Sequence, residues 1–336
     1  MPRTRSRSCR NVIDRGRRVF IASGLLAVPL LTRAQAPRKV YRVGILEAIP
    51  AAQNVANLEA LKRGLRELGY VEGRNLIIDY RSADGDAQRF PDLAAELVRL
   101  DVDLIITRGT PAANAAKTAT QTIPVVMATM GDPRAIVTSF ARPGGNVTGV
   151  TTFSTELTAK RIEILKELAP DLTRVALLHN MGNPAAPPEW EETKAAARSL
   201  SAQAELLDVR READIAPAFE RAVRQRVDTL VVGADGLTQA HQRTIIDLAL
   251  RNRLPAIYPA RDFVDAGGLI AYATNYPDLY FRFARYADKI FKGAKPGDLP
   301  VEQPSKFELV INLATAKALG LAVPQSLILR ADEVIR

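Results

Sequence analysis

The sequence predicts an α/β protein of two Rossmann-like lobes, each built on a parallel sheet, joined by a three-segment hinge. Two observations carry this. First, one pattern occurs twice: Val102-Asp103-Leu104-Ile105-Ile106 runs into Gly109 and is followed by Ile123-Pro124-Val125-Val126-Met127, while Val227-Asp228-Thr229-Leu230-Val231-Val232 runs into Gly233 and is followed by Leu254-Pro255-Ala256-Ile257-Tyr258. Short, β-branched apolar runs stopped by Gly or Pro turns read as buried parallel strands. Second, the echo extends upstream, where Val43-Gly44-Ile45-Leu46 with Leu76-Ile77-Ile78-Asp79-Tyr80 answers Val175-Ala176-Leu177-Leu178 with Ala204-Glu205-Leu206-Leu207. At 336 residues the chain is long enough for two such cores.

The elements follow in order. After strand 43–46, Leu58, Leu61, Leu65 and Leu68 recur at helical spacing until Gly69. Strand 76–80 precedes a helix marked by Phe90, Leu93, Ala94, Leu97 and Leu100. Strand 102–107 leads to Thr110-Pro111, a capping hydroxyl followed by proline at the first helical position, and Asp132-Pro133 repeats the device after strand 123–128. Residues 143–152, Pro-Gly-Gly-Asn-Val-Thr-Gly-Val-Thr-Thr, read as a turn and an extended crossing into the second lobe. There, helix 156–168, strand 174–178, helix 189–200, strand 204–209, helix 215–225, strand 228–233, one helix near 238–252, strand 255–258 and helix 260–266 repeat the alternation. Leu269 to Tyr272 is expected to cross back to an amphipathic helix, 278–292, on the first lobe; residues 296–304 form the third crossing, and a last helix spans 311–319. The lobes are thus expected to comprise residues 37–150 with 276–300, and 151–275 with 301–336. Three crossings make a hinge on which lobes can close.

Most of the formal charge of +9 lies at the start of the chain. Residues 1–36 hold eight arginines against Asp14, a net +7 that leaves +2 for the rest. A nearly balanced body argues against a nucleic-acid partner. The first 36 residues read as a cleaved export signal: an Arg-rich start, an apolar stretch from Val19 to Leu31, then Ala34-Gln35-Ala36. Arg17-Arg18-Val19-Phe20-Ile21 is similar to a twin-arginine core, although Gly16 stands where Ser or Thr is usual. A membrane anchor is the weaker reading, because the apolar stretch is shorter than the roughly 20 residues a span needs and contains Pro29. An organellar transit peptide is the other alternative. The single cysteine, Cys9, lies inside this signal, so the mature chain is expected to have no disulfide and no Cys-based site. A soluble, exported, monomeric product in the periplasm is the expectation.

No P-loop, GxGxxG, HExxH or Gly-x-Ser-x-Gly motif occurs, and His179 and His241 show no partner pattern, so both are read as loop or surface residues. No cofactor, metal or catalytic residue is expected. What stands out instead is helix starts at strand carboxyl ends, where an open α/β sheet binds ligands and free N–H groups favour anions. Thr110 is expected to offer its hydroxyl to a ligand carboxylate, and Asp132, Asp235 and Glu47 to meet a ligand ammonium, with plain helix capping as the competing explanation. Near the hinge, Phe153 and Asn275 are further candidates, and Tyr258 ends a strand where it could stack on a flat ligand or pack in the core.

Four stretches resemble one family: Leu65-Arg66-Glu67-Leu68-Gly69-Tyr70-Val71-Glu72-Gly73-Arg74-Asn75, Ala141-Arg142-Pro143-Gly144-Gly145-Asn146-Val147-Thr148-Gly149, Gln303-Pro304-Ser305-Lys306-Phe307-Glu308-Leu309-Val310-Ile311-Asn312, and Ala316 through Leu321 with Ala331 through Ile335. They are similar to the ABC-transporter substrate-binding proteins described as TrpX-like. The resemblance implies the type I periplasmic binding protein (Venus-flytrap) fold, capture of a small solute between the lobes and delivery to an inner-membrane ABC permease, with some members linked to aromatic amino acids. Two other classes stay open on the sequence: a ligand-sensing module for a receptor, and a periplasmic enzyme on a two-lobed scaffold.

Overall fold

The computed structural model describes residues 39–129, 136–152, 154–304 and 306–336. Along the chain the elements are β1 (Tyr41–Glu47), α1 (Val55–Glu67), β2 (Leu76–Ser82), α2 (Phe90–Arg99), β3 (Leu104–Arg108), α3 (Thr110–Ala119), β4 (Val125–Thr129) and β5 (Val147–Thr151). Then come α4 (Ser154–Leu168), β6 (Arg174–His179), α5 (Ala186–Ser199), β7 (Gln203–Asp208), α6 (Ile215–Arg224), β8 (Thr229–Val232), α7 (Gly236–Ala240), α8 (Gln242–Arg251), β9 (Ala256–Tyr258), α9 (Arg261–Asp265) and β10 (Ile270–Thr274). The chain closes with α10 (Tyr276–Phe291), β11 (Phe307–Asn312), α11 (Leu313–Ala318), α12 (Gln325–Arg330) and β12 (Glu333–Ile335).

The repeat in the sequence is a repeat in topology. The first sheet runs β2-β1-β3-β4-β5, and the second contains β7-β6-β8-β9-β10 in the same relative order. Even a polar detail recurs. The Asp103 carboxylate accepts the backbone N–H of Arg42 at the start of β1, and Asp228 accepts that of Arg174 at the start of β6, both at 2.8 Å. A Val-Asp pair before a parallel strand therefore pins the neighbouring strand in each lobe.

Four readings of the sequence need correction. The stretch 143–152 is more than a crossing: Val147–Thr151 pairs in parallel with β4 and completes the first sheet. The 269–272 stretch likewise lies mostly in β10, which starts at Ile270, between β9 and β11. Phe307–Asn312, read in part as helix, is a strand antiparallel to β10, and β12 extends the second sheet beside it. The helix expected near 238–252 is two helices broken at His241.

Each sheet is covered on both faces. In the first lobe α1 and α10 cover one face, with Leu61, Leu65, Leu279, Phe283 and Ile290 buried there, and α2 and α3 cover the other with Leu93, Leu97, Ala112 and Ala116. Gly64 lets α1 and α10 touch: a Cβ there would lie 2.8 Å from the Ala284 Cβ. The chain passes between the sheets after β5, between β10 and α10, and between Leu299 and β11. These passages are tied together, since Tyr286 donates its hydroxyl to the carbonyls of Gly149 (3.0 Å) and Pro300 (2.8 Å), and Thr274 donates to the Thr152 carbonyl (3.4 Å).

Candidate functional site

The carboxyl ends of both sheets face one another, and a cavity lies between them. Counting the part that opens to solvent, the space between them amounts to about 480 Å³. The first lobe contributes Glu47 at the end of β1, Phe90 at the start of α2, and Arg108 and Gly109 at the end of β3; the second contributes Asn183, Asp235, Leu237 and Gln239. The lobes are in contact. A Cβ added to Gly236 would lie 2.6 Å from the Ala48 Cβ, and one on Gly85 2.9 Å from the Ala240 Cβ.

Opposite charges are buried around this cavity with hydrogen-bonding capacity to spare. Glu47 is 1% exposed; Asn54 donates to its Oε1 at 3.2 Å, while Oε2 has no partner. Burial pushes its carboxyl up to about 7, against the opposing charge of Arg108 and the Asn54 hydrogen bond. Arg108 is 5% exposed. Its guanidinium lies 4.0 Å from the centre of the Tyr276 ring and donates through Nη2 to Gln239 Oε1 at 3.3 Å, but Nη1 has no partner. Burial acts against the Arg108 charge, and the fields of Tyr276, Glu47 and Asp262 more than offset it. Phe90, Ile49, Ala87, Pro111 and Leu237 give the cavity an apolar wall.

Thr110 lies between the lining residues Gly109 and Pro111. The sequence suggested a capping hydroxyl, but Gly109 occupies the N-cap with φ of 91°, and Thr110 is the first helical residue. Its Oγ1 is buried without a partner, so the hydroxyl does not cap α3. Asp235 also reaches the cavity and does cap: it accepts from Leu237 N (2.9 Å), from Asn183 Nδ2 (2.8 Å) and from Asn180 Nδ2 (3.4 Å). Glu47 and Asp235 thus line one cavity, and Thr110 lies between two of its lining residues.

Two candidates are not. Tyr258 is 1% exposed inside the second lobe, stacked on Phe263 with ring centres 5.0 Å apart. In a three-residue strand, Ile257 and Tyr258 point to opposite faces, and neither points along the strand into the cavity. Tyr258→Phe is accordingly expected to leave solute affinity within about twofold of wild type by isothermal titration, because surface-free core isosteres stay local. Asn275 caps α10 through the Asp278 N–H (2.9 Å) and donates to Glu308 (3.1 Å), beside the hinge and outside the cavity. Asp132 and Phe153 lie outside the described residues.

His179, read as a loop or surface residue, is fully buried at the end of β6, with Nε2 3.2 Å from Glu189 Oε2. Burial disfavours its proton, but Glu189 and Asp235 outweigh this and raise the imidazole above its ordinary range. His241 is the more peripheral of the pair, its side chain one-fifth exposed and 3.6 Å from Glu212. Among the described residues no three His, Cys, Asp or Glu side chains gather as a metal site.

The sequence reading missed Arg108 and Gln239. A signal for Arg108 was present: it is the one charged residue in an otherwise uncharged, fully buried strand, directly before a Gly-Thr-Pro helix start. A cation placed at the carboxyl end of a buried strand faces whatever the strand end faces.

Comparison with known proteins places the chain in a family. Residues 42–335 match the family described as ABC transporter substrate binding protein. A tyrosine-binding protein of Clostridioides difficile (strain R20291) is 25% identical over 318 residues, covering 90% of this chain and 91% of that protein. The crystal structure of an ABC domain in complex with L-Trp from Streptococcus pneumonia superposes with a TM-score of 0.81 at 28% identity, over 88% of this chain and 100% of that one. A ligand-free, open substrate binding protein with adhesive properties from Clostridium difficile gives 0.63 at 25% identity, over 88% and 99%. The fold is that of the type I periplasmic binding proteins, and the chain belongs to the ABC transporter substrate-binding protein family.

Proposed function

We propose that this substrate-binding protein takes an aromatic L-amino acid as its solute and holds it as a zwitterion in the interlobe cavity. The observation that carries the reading is the pair of buried, opposite charges that each keep a free atom, Glu47 Oε2 and Arg108 Nη1, on one cavity. An unpaired buried charge is costly, and a ligand bearing the complementary groups removes both costs at once. Arg108, the Thr110 hydroxyl and the start of α3 receive the carboxylate. Glu47 receives the ammonium, with Asp235 adding its charge from the second lobe. The wall of Phe90, Ile49, Pro111 and Leu237 takes the side chain. The two named relatives, tyrosine-binding and tryptophan-bound, support the amino-acid class.

The same reading has the first 36 residues removed on export to the periplasm, lobes formed by residues 37–150 with 276–300 and 151–275 with 301–336, and a monomer that delivers its solute unchanged to an inner-membrane permease. The test is a thermal-shift screen of residues 37–336, stripped by denaturation and refolding, against amino acids, aromatic acids, sugars and nucleosides. A hundredfold excess over the dissociation constant stabilises by about 2.7 kcal/mol. The expected result is a rise with tyrosine or tryptophan, and recovery of the compound unaltered. A rise with only sugars or nucleosides, or turnover of the bound compound, would contradict the proposal.

A pH dependence follows from Glu47. Its carboxyl is pushed up to about 7 in the empty site. A ligand ammonium favours the carboxylate, so binding releases a proton at pH values below about 7. Affinity therefore rises with pH up to about 7 and levels off above it, by at most about tenfold per pH unit. Titrations at pH 5.5, 6.5, 7.5 and 8.5 read this directly. Glu47→Gln should lower affinity and flatten the profile; an unchanged slope would remove Glu47 from the site.

A further inference from the structure

Arg108 belongs to the first lobe, but the group that orients it belongs to the second. Its Nη2 donates to Gln239 Oε1 at 3.3 Å, and Gln239 Nε2 donates to Asp262 Oδ2 at 2.5 Å. Gln239 sits on α7, Asp262 on α9, and the Tyr276 ring beneath the guanidinium begins α10, where the chain returns to the first lobe. An amide suits this position because it accepts at one end and donates at the other, joining a cation to an anion without carrying charge itself. Glutamate there would face Asp262 with like charge, and an apolar side chain would leave both neighbours unpaired in a buried setting.

Separation of the lobes would break this relay, because Arg108 and Gln239 approach only across the closed cleft. The other terminal nitrogen of Arg108 remains unpartnered on the cavity. One guanidinium thus faces the solute on one side and the opposite lobe on the other. Resting on the reading of the cavity as an amino-acid site, we propose that Gln239, backed by Asp262, is a positioning residue that holds Arg108 for the ligand carboxylate when the lobes close. The relay couples carboxylate recognition to closure. A ligand that engages Arg108 fixes the group that Gln239 must meet, and a closed second lobe fixes the guanidinium plane that the carboxylate must meet. A bidentate carboxylate contact depends on that plane.

The test is a double-mutant cycle read by isothermal titration with L-tyrosine and L-tryptophan, using the mature chain. Gln239→Leu keeps the volume and removes both hydrogen bonds; it is expected to weaken binding about tenfold. In an Arg108→Gln background the same change is expected to cost less than about threefold, because its effect passes through Arg108. Asp262→Asn, which retains an acceptor oxygen but not the charge, should fall between wild type and Gln239→Leu. Asp262→Ala, on the partly exposed α9, reads the same relay if Gln239→Leu does not fold. Equal losses for Gln239→Leu in the two backgrounds, or no loss in either, would overturn the relay while leaving the amino-acid reading standing. A wild-type protein that binds no aromatic amino acid would overturn the reading and the relay with it.

Discussion

Arg108→Gln is expected to lower the affinity for an aromatic amino acid by roughly 30- to 700-fold without unfolding the protein. The magnitude follows from burial. Truncating one partner of a desolvated, hydrogen-bonded charge pair costs about 2–4 kcal/mol, and each 1.4 kcal/mol is tenfold. Arg108 is enclosed by Tyr276, Gln239 and Glu47, so no water replaces the guanidinium cheaply. Glutamine keeps part of the side-chain volume and a donor, which protects the fold. Two readouts separate the account from a general loss of structure: the unliganded melting temperature should stay close to wild type, and the midpoint of the Glu47 pH profile should move upward, because the Arg108 charge opposes the burial that raises that carboxyl. Affinity within threefold of wild type would remove Arg108 from the carboxylate site.

Gly149→Ala is expected to be the most destabilising small substitution in the first lobe. Gly149 sits in β5 directly opposite Met127 of β4, with φ of 142°, a region that side chains with a Cβ rarely adopt. A Cβ there would fall 2.1 Å from the Met127 carbonyl oxygen and 2.5 Å from its nitrogen. Both atoms are backbone in a strand paired on both sides, so neither can yield without parting the sheet. The Gly149 carbonyl also holds the Tyr286 hydroxyl and the Glu302 N–H, so a displaced β5 loosens the hinge as well. Strain plus overpacking amounts to roughly 2–5 kcal/mol, a fall in Tm on the order of 10 °C by calorimetry. Gly145→Ala is the comparison. Its φ of 65° also favours glycine, but a Cβ would meet nothing within 4 Å, so the cost should stay near about 1 kcal/mol. Equal losses at the two positions would show that the β4–β5 contact is not the cause.

Most of the fold was legible because its information is local and repeated. A buried parallel strand needs only a short β-branched run and a turn, and the chain writes that pattern in the same order in both lobes. β11 was harder to read: an antiparallel strand at the end of an α/β chain pairs with β10 through a long connection, and no local rule announces the partner. The positions of Glu47, Thr110 and Asp235 at a strand end or helix start were legible because such ends have sequence signatures. Asn275 carried the same signature but spends it on its own helix, as the Asp278 N–H contact shows. Tyr258 failed on direction, since a residue at the end of a strand faces one side of the sheet rather than its edge. Arg108 could be suspected from its place at the end of an otherwise uncharged strand, but its setting could not. Tyr276, Gln239 and Asp262 lie on three later helices, and only the tertiary fold brings them to it.

The most direct measurement is isothermal titration of the mature wild-type protein with L-tyrosine and L-tryptophan, each beside the amine lacking the carboxylate and the propionate lacking the ammonium. A site that pairs Arg108 with one end of a zwitterion and Glu47 with the other predicts that both amino acids or one of them binds, and that either deletion costs about a hundredfold or more. An amine or a propionate that binds as tightly as the parent amino acid would contradict the pairing of these two buried charges with the two ends of one ligand.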